Sequence, residues 1–236
     1  MLFCNSLIDG FLGSNFMGQG IVLAQLAASV VMFAAIIGKW KELVFVGIAT
    51  RRFLRDFSYS RDVLEYYKER RPTETQGIVG IYRETAERLM KLLAPDAHSL
   101  VAGDYAALTA REVELVRGTC EHMLDEEEIR LEHGMGVISS VVAIAPMLGL
   151  LGTVWGVLDA FADMGAAGTA TIATMAPAIS SALVTTVVGL LIAIPGIGCH
   201  CFLSSRLREL LGAVDGFLDD CLARVGQEFQ ADGSGA

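Results

Sequence analysis

The stretch APMLGLLGTVWGV, Ala145 to Val157, decides the fold, because it is apolar enough for lipid yet carries three glycines, a proline and a threonine. An ordinary greasy anchor has no use for so small a surface. Its surroundings make it part of one of three apolar segments, each long enough for the roughly 20 helical residues that cross a hydrocarbon core. They are Ile21–Gly38, Val137–Leu158 and Ile172–Leu203, and none contains Asp, Glu, Lys, Arg or His before His200. The chain has 236 residues, 53% of them hydrophobic, and a mean hydropathy of +0.50, above the soluble range. A formal charge of -9 with no basic stripe speaks against nucleic acid as a partner.

All but three of the 18 Lys and Arg lie between Lys39 and Arg130, and the rest (Arg206, Arg208, Arg224) follow the third span. The positive-inside rule then places residues 1–20 and 159–171 outside, in the periplasm, and residues 39–136 and 204–236 in the cytoplasm. Lys39, Trp40 and Lys41 read as interfacial anchors. Residues 1–20 contain no Lys or Arg, so the first span (21–38) reads as an uncleaved anchor rather than a signal peptide. The second and third spans are 137–158 and 172–203. The expected fold is an all-α integral membrane protein with three transmembrane helices and long helical cytoplasmic extensions.

The cytoplasmic part divides at RRPTETQG, Arg70 to Gly77, into amphipathic pieces. One carries Ile78, Ile81, Tyr82, Leu89, Leu92 and Leu93. The next begins at TARE, where Thr109 and Glu112 have capping-box spacing. From Thr109 one rod is expected to run to about Leu158, roughly 75 Å at the helical rise, with Gly134 and Gly136 as the only candidate interruptions. The acids Asp125 to Glu128 on that rod read as a solvated face. The segment Arg206–Phe229 keeps a helical pattern, and disorder is expected after Gln230.

Five cysteines form no disulfide framework, and CHC at Cys199–Cys201 supplies too few ligands for a metal hook. No phosphate loop, nucleophile elbow or zinc helix is present, so neither an enzyme nor a cofactor is expected.

Helices in lipid associate through close packing, which small residues permit. Ala145, Gly149, Gly152 and Gly156 line one face of span two, and Ala178, Ala182, Gly189, Ala193 and Gly196 line span three. Beside them lie Ser139, Ser140 and Thr153, and Ser180, Ser181, Thr185 and Thr186. Bonding back to the helix's own carbonyls accounts for most such hydroxyls, but a group of them between two facing small-residue helices suggests a wet pathway. Gln25 in span one reads as interhelical glue. Hydroxyls order water without holding a proton, so a conducting version of this protein needs a carboxylate from another chain.

The runs A-P-x-x-G-L-x-G-T-V-x-G in span two and A-P-x-I-x-x-A-L-x-T-x-x-G-L-x-x-A-I-P in span three (within Met175–Pro195) resemble the MotA/TolQ/ExbB proton-channel family, most closely TolQ and ExbB. The resemblance implies a ring-forming homo-oligomer, expected to be a pentamer, in the bacterial inner membrane. The ring would surround a single-span ExbD/TolR-like partner whose membrane Asp carries the proton, and would drive a TonB- or TolA-like protein. By position Thr153 and Thr186 match the family's pore-facing threonines, with Ser181 and Thr185 beside them, and Pro146 and Pro177 match its helix-shaping prolines. Pro195 is a further helix-shaping candidate at the inner end of span three. Ser181 stands where many relatives have Glu, and Ala178 where they have glycine. The competing reading is a passive membrane scaffold with no conduction. A small-molecule transporter is disfavoured, because no repeat or pair of broken helices supplies a substrate site.

Overall fold

A computed structural model describes residues 11, 15–58, 67, 77–93, 108–167 and 172–229. They form five α-helices in the order α1 (Phe16–Ser58), α2 (Gly77–Leu93), α3 (Ala110–Glu132), α4 (Met135–Ala167) and α5 (Ile172–Phe229). Three of them, α1, α4 and α5, are long and apolar enough to cross a membrane. The contacts divide into two units, Met1–Trp40 with Gly134–Ser204 and Lys41–His133 with Ser205–Ala236.

The first unit holds the apolar parts of α1, α4 and α5. Large side chains face outward, as lipid-immersed helices require: Val30, Leu150 and Ile194 are each more than 60% exposed. Small ones face inward, with Ala145, Ala182 and Ala193 buried. This is the reverse of a water-soluble core, and it follows from the solvent: hydrocarbon gives large apolar side chains no reason to leave the surface.

The second unit is built as a soluble domain is. Phe53 and Phe57 of α1, Tyr82 of α2 and Phe217 of α5 form one aromatic cluster; Phe57 meets Phe217 edge-on at 4.9 Å and Tyr82 at 5.4 Å between ring centroids. Edge-to-face pairs of this kind add favourable quadrupole interactions to simple burial. Around them pack Ile78, Ile81, Leu89, Leu93, Val116, Leu218 and Val225, all buried. The apolar side chains Ile78, Ile81, Tyr82, Leu89 and Leu93 of α2 are buried here, as are Val116 and Cys120 of α3, whereas Leu115, expected on the same side of α3, is exposed. At the start of α3 the capping box is present: Glu112 N–H donates to Thr109 Oγ1 at 3.3 Å, and Thr109 N–H donates to Glu112 Oε2 at 2.8 Å.

Three features depart from the sequence reading. The single rod from Thr109 to Leu158 is two helices: α3 ends at Glu132, and α4 restarts at Met135. Gly134 sits at φ 90°, a left-handed conformation that costs glycine little and other residues much, so the helical bonding is broken there. At its other end α4 continues to Ala167, well past Leu158, so the connection expected over 159–171 is largely helical. Asp159 ends the apolar window without ending the helix, and its carboxylate accepts a hydrogen bond from Asn15 Nδ2 at 2.8 Å. The third difference is continuity: span three and the following amphipathic segment are one helix of 58 residues, with Pro177 and Pro195 inside it. The expected disorder after Gln230 and most of the Arg70–Gly77 breaker lie outside the described residues.

Candidate functional site: the α4–α5 crossing and the α1 glutamine

The site lies within the first unit, where α4 and α5 run antiparallel and close. A Cβ built on Gly149 would fall 2.8 Å from the backbone Cα of Thr186. On Gly156 it would fall 2.6 Å from Ala182 Cβ, and on Gly189 only 2.5 Å from the carbonyl oxygen of Ala145. On Gly152 it would overlap the Thr185 side chain. Gly196 fits the same pattern against Val142 and Met32 of α1. The structure therefore brings together Gly149, Gly152, Gly156, Ala182 and Gly189; Gly149 and Gly189 meet backbone, whereas Gly152 and Gly156 meet the Thr185 side chain and Ala182 Cβ.

The glycines also uncover acceptors. In a helix the carbonyl of residue i receives the N–H of residue i+4, and the side chain of that residue helps to cover it. Ala145 is followed at i+4 by Gly149, and Thr185 by Gly189. Both bared carbonyls are used: Gln25 Nε2 of α1 donates to Ala145 O at 3.0 Å and to Thr185 O at 3.3 Å. A third bond crosses the interface, from Thr185 Oγ1 to Gly149 O at 3.0 Å. That hydroxyl hydrogen is shared with Ala182 O at 2.7 Å, so Thr185 bonds back within its own helix and across to α4 at once.

The other hydroxyls divide. Thr153 donates to Leu150 O at 2.8 Å, Ser181 to Ala178 O at 2.9 Å and Ser139 to Gly136 O at 3.0 Å, all three residues back in their own helices. Their lone pairs stay available to an incoming donor. Thr186 is different: its hydroxyl is buried and has no hydrogen-bond partner among the described residues. Thr185 and Ser181 are buried, whereas Thr153 and Thr186 are half-buried. Of the prolines, Pro146 is half-buried in α4, and Pro177 and Pro195 are exposed on α5. Each removes one helical N–H donor.

No titratable side chain lies on Ile21–Gly38, Met135–Leu158 or Met175–Gly198. Among the described residues no group of three or more His, Cys, Asp or Glu is placed to hold a metal ion. The crossing offers hydroxyls, bared carbonyls and one carboxamide, which can order water or meet a protonated acid but cannot ionise. Gln25 is the part that sequence reasoning undervalued. A polar residue amid apolar neighbours signals an interhelical bond, but its two acceptors depend on which glycines bare which carbonyls.

Residues 90–215, more than half of the chain, match the MotA/TolQ/ExbB proton channel family. The chain belongs to this family. It is 28% identical to the Tol-Pal system protein TolQ of Pseudomonas aeruginosa over 207 residues, covering 86% of this chain and 84% of the relative. With TolQ of Haemophilus influenzae it shares 27% over 223 residues, 91% of each. With the biopolymer transport protein ExbB of Xanthomonas campestris it shares 36% over 107 residues, 45% of this chain and 42% of the relative. The chain is accordingly a multi-pass membrane protein, a proton-channel subunit of an envelope energy-transducing complex coupled to the proton motive force, and not an enzyme.

Proposed function

We propose that the chain is the ring-forming, pore-lining subunit of a TolQ–TolR- or ExbB–ExbD-like complex. In this reading it sits in the bacterial inner membrane as a homopentamer, with its N-terminus in the periplasm and its C-terminus in the cytoplasm. Protons pass along hydroxyls of α4 and α5 to an Asp on a single-span partner, and the energy released moves the envelope through a TonB- or TolA-like protein. One charge crossing 100 mV supplies about 2.3 kcal/mol for that work.

The observation that carries this reading is the buried hydroxyl of Thr186, which has no hydrogen-bond partner among the described residues. It adjoins a crossing tight enough to exclude a side chain at Gly149, in helices with no acid of their own. A passive scaffold gains nothing from leaving that group unsatisfied, whereas a proton path needs a group free to bond water or a protonated carboxyl. Thr153 and Ser181, whose hydroxyl hydrogens are already placed, serve as acceptors, and Thr185 holds the two helices in register. Thr186→Val keeps the shape and removes the hydroxyl. The variant is expected to assemble with its partner yet fail to support envelope function in a deletion strain; normal function refutes the channel reading.

Between the two pathways, the TolQ relatives match most of the chain and the ExbB relative less than half. This supports a Tol-type role in envelope constriction. Deleting the gene and scoring outer-membrane integrity against substrate uptake decides between them.

A further inference from the structure

Gln25 is fully buried, and its carboxamide spends both N–H groups on carbonyls of two different helices. Its Oε1 has no partner among the described residues. The orientation is fixed by what it faces, because turning the amide over would set an oxygen against two carbonyl oxygens. The side chain therefore serves as a donor, and its acceptors flank the pathway: Ala145 O lies one turn from Gly149, and Thr185 O belongs to the peptide bond joining Thr185 to Thr186. A Cβ on Gly189 would fall 2.8 Å from Gln25 Nε2, and one on Gly149 would fall 3.4 Å from it, so all three helices converge at this amide.

We propose that Gln25 is a positioning residue for proton conduction: its carboxamide, reaching in from α1, sets where the Thr185–Thr186 backbone stands against Gly149 and so where the Thr186 hydroxyl is presented. The first span is then part of the channel's working geometry and not only an anchor. This inference rests on the proton-channel reading above.

The substitution Gln25→Glu gives the test a signature that loss of packing lacks. When protonated, the introduced carboxyl keeps one donor; when ionised, it has none and sets a negative charge against carbonyl oxygens. Ile21–Gly38 of α1, Met135–Leu158 of α4 and Met175–Gly198 of α5 carry no charged or titratable group to pair with the ionised form, and the first ones beyond are Lys39, His133, Asp159 and Cys199 with His200.

The experiment uses the full chain purified with its native membrane partner, reconstituted in vesicles, with proton flux read by an entrapped pH dye. Assembly is checked by size-exclusion chromatography. Gln25→Met, of similar length and without donors, is expected to assemble and to lose about tenfold in flux at every pH, some 1.4 kcal/mol at the barrier. Gln25→Glu is expected to recover flux as pH falls and lose it as pH rises, relative to the parent. Parent-like flux in Gln25→Met, or a parent-like pH profile in Gln25→Glu, overturns the role of Gln25; should Gln25→Met fail to assemble, the Gln25→Glu profile decides alone. A parent complex that passes no protons overturns the channel reading itself, and this inference with it.

Discussion

Replacing Gly189 by alanine is expected to separate α4 from α5, at a cost that follows from the distances. The new methyl would stand 2.5 Å from the Ala145 carbonyl oxygen, 3.2 Å from its carbon and 2.8 Å from Gln25 Nε2. The nearest neighbour is backbone, which cannot rotate away. Ordinary contact begins near 3.4 Å, so the helices must part by about 0.9 Å at this level. Such a movement carries the 3.0 Å bond from Thr185 Oγ1 to Gly149 O out of hydrogen-bond range, and Gln25 Nε2, which bridges Ala145 O and Thr185 O, must give up one of its two bonds. Two interhelical bonds in a membrane are worth about 0.6 kcal/mol each, and overpacking costs about 1–3 kcal/mol. Against this, alanine's helix preference returns roughly 1 kcal/mol. The net loss is about 1–3 kcal/mol. Gly198, on the same helix with nothing within 4 Å of its Cβ position, is the control, and its alanine variant is expected to be neutral or stabilised by up to about 1 kcal/mol. Both variants can be unfolded from mild detergent by titrating in a denaturing one, with helicity followed by circular dichroism. Equal midpoints for the two alanines would refute the argument that the crossing is limited by backbone contact.

Two further outcomes concern the second unit. Thr109→Ala removes the capping box of α3 and is expected to cost about 1 kcal/mol, seen as a lower thermal midpoint. The same contact is pH-dependent: the Thr109 backbone N–H, then its hydroxyl, hold the Glu112 carboxyl below the usual carboxylate range. Its contribution is full above the unfolded-state pKa and disappears as pH falls through the lowered folded value; alanine keeps the backbone N–H and loses the hydroxyl, so the gap between Thr109→Ala and the parent should narrow in acid by the hydroxyl's share alone. Burial pushes the Cys120 thiol up, partly offset by its bond with Thr85 at 3.1 Å. A polar alkylating reagent should modify Cys120 only on unfolding, as mass spectrometry of digests can show; modification in the folded protein would contradict the packing around Thr85.

The three spans were legible because hydrocarbon imposes length and apolarity, and the helix starts at Gly77 and Ala110 because breakers and caps are local. The break at His133–Gly134 was legible only as one of two candidate interruptions, Gly134 and Gly136, since a glycine within a helical pattern can be tolerated or stop the helix, and its φ decides. The extension of α4 to Ala167 was hidden for a related reason: apolarity reports where lipid ends, whereas backbone bonding sets where the helix ends. At the site, spacing placed Gly149, Gly152 and Gly156 on one face of α4. It could not tell Thr185 from Thr186, adjacent residues of one type. Their difference, one hydroxyl bonded across to Gly149 O and the other without a partner among the described residues, depends on rotation and register at the crossing.

That difference bears on why a span should be so rich in glycine. Close approach alone would be served by alanine at several of these positions. A bared carbonyl is not, because the methyl at i+4 would stand where the donor must come. Gly149 and Gly189 each bare an acceptor that Gln25 then takes, and Gly152 leaves room for the Thr185 hydroxyl to reach Gly149 O. Backbone–side-chain bonds of this kind fix the register between helices without placing any charge in lipid, where an ion is costly. The Thr186 hydroxyl can then be held in a defined place and left unpaired, since the bonds that hold the crossing belong to its neighbours.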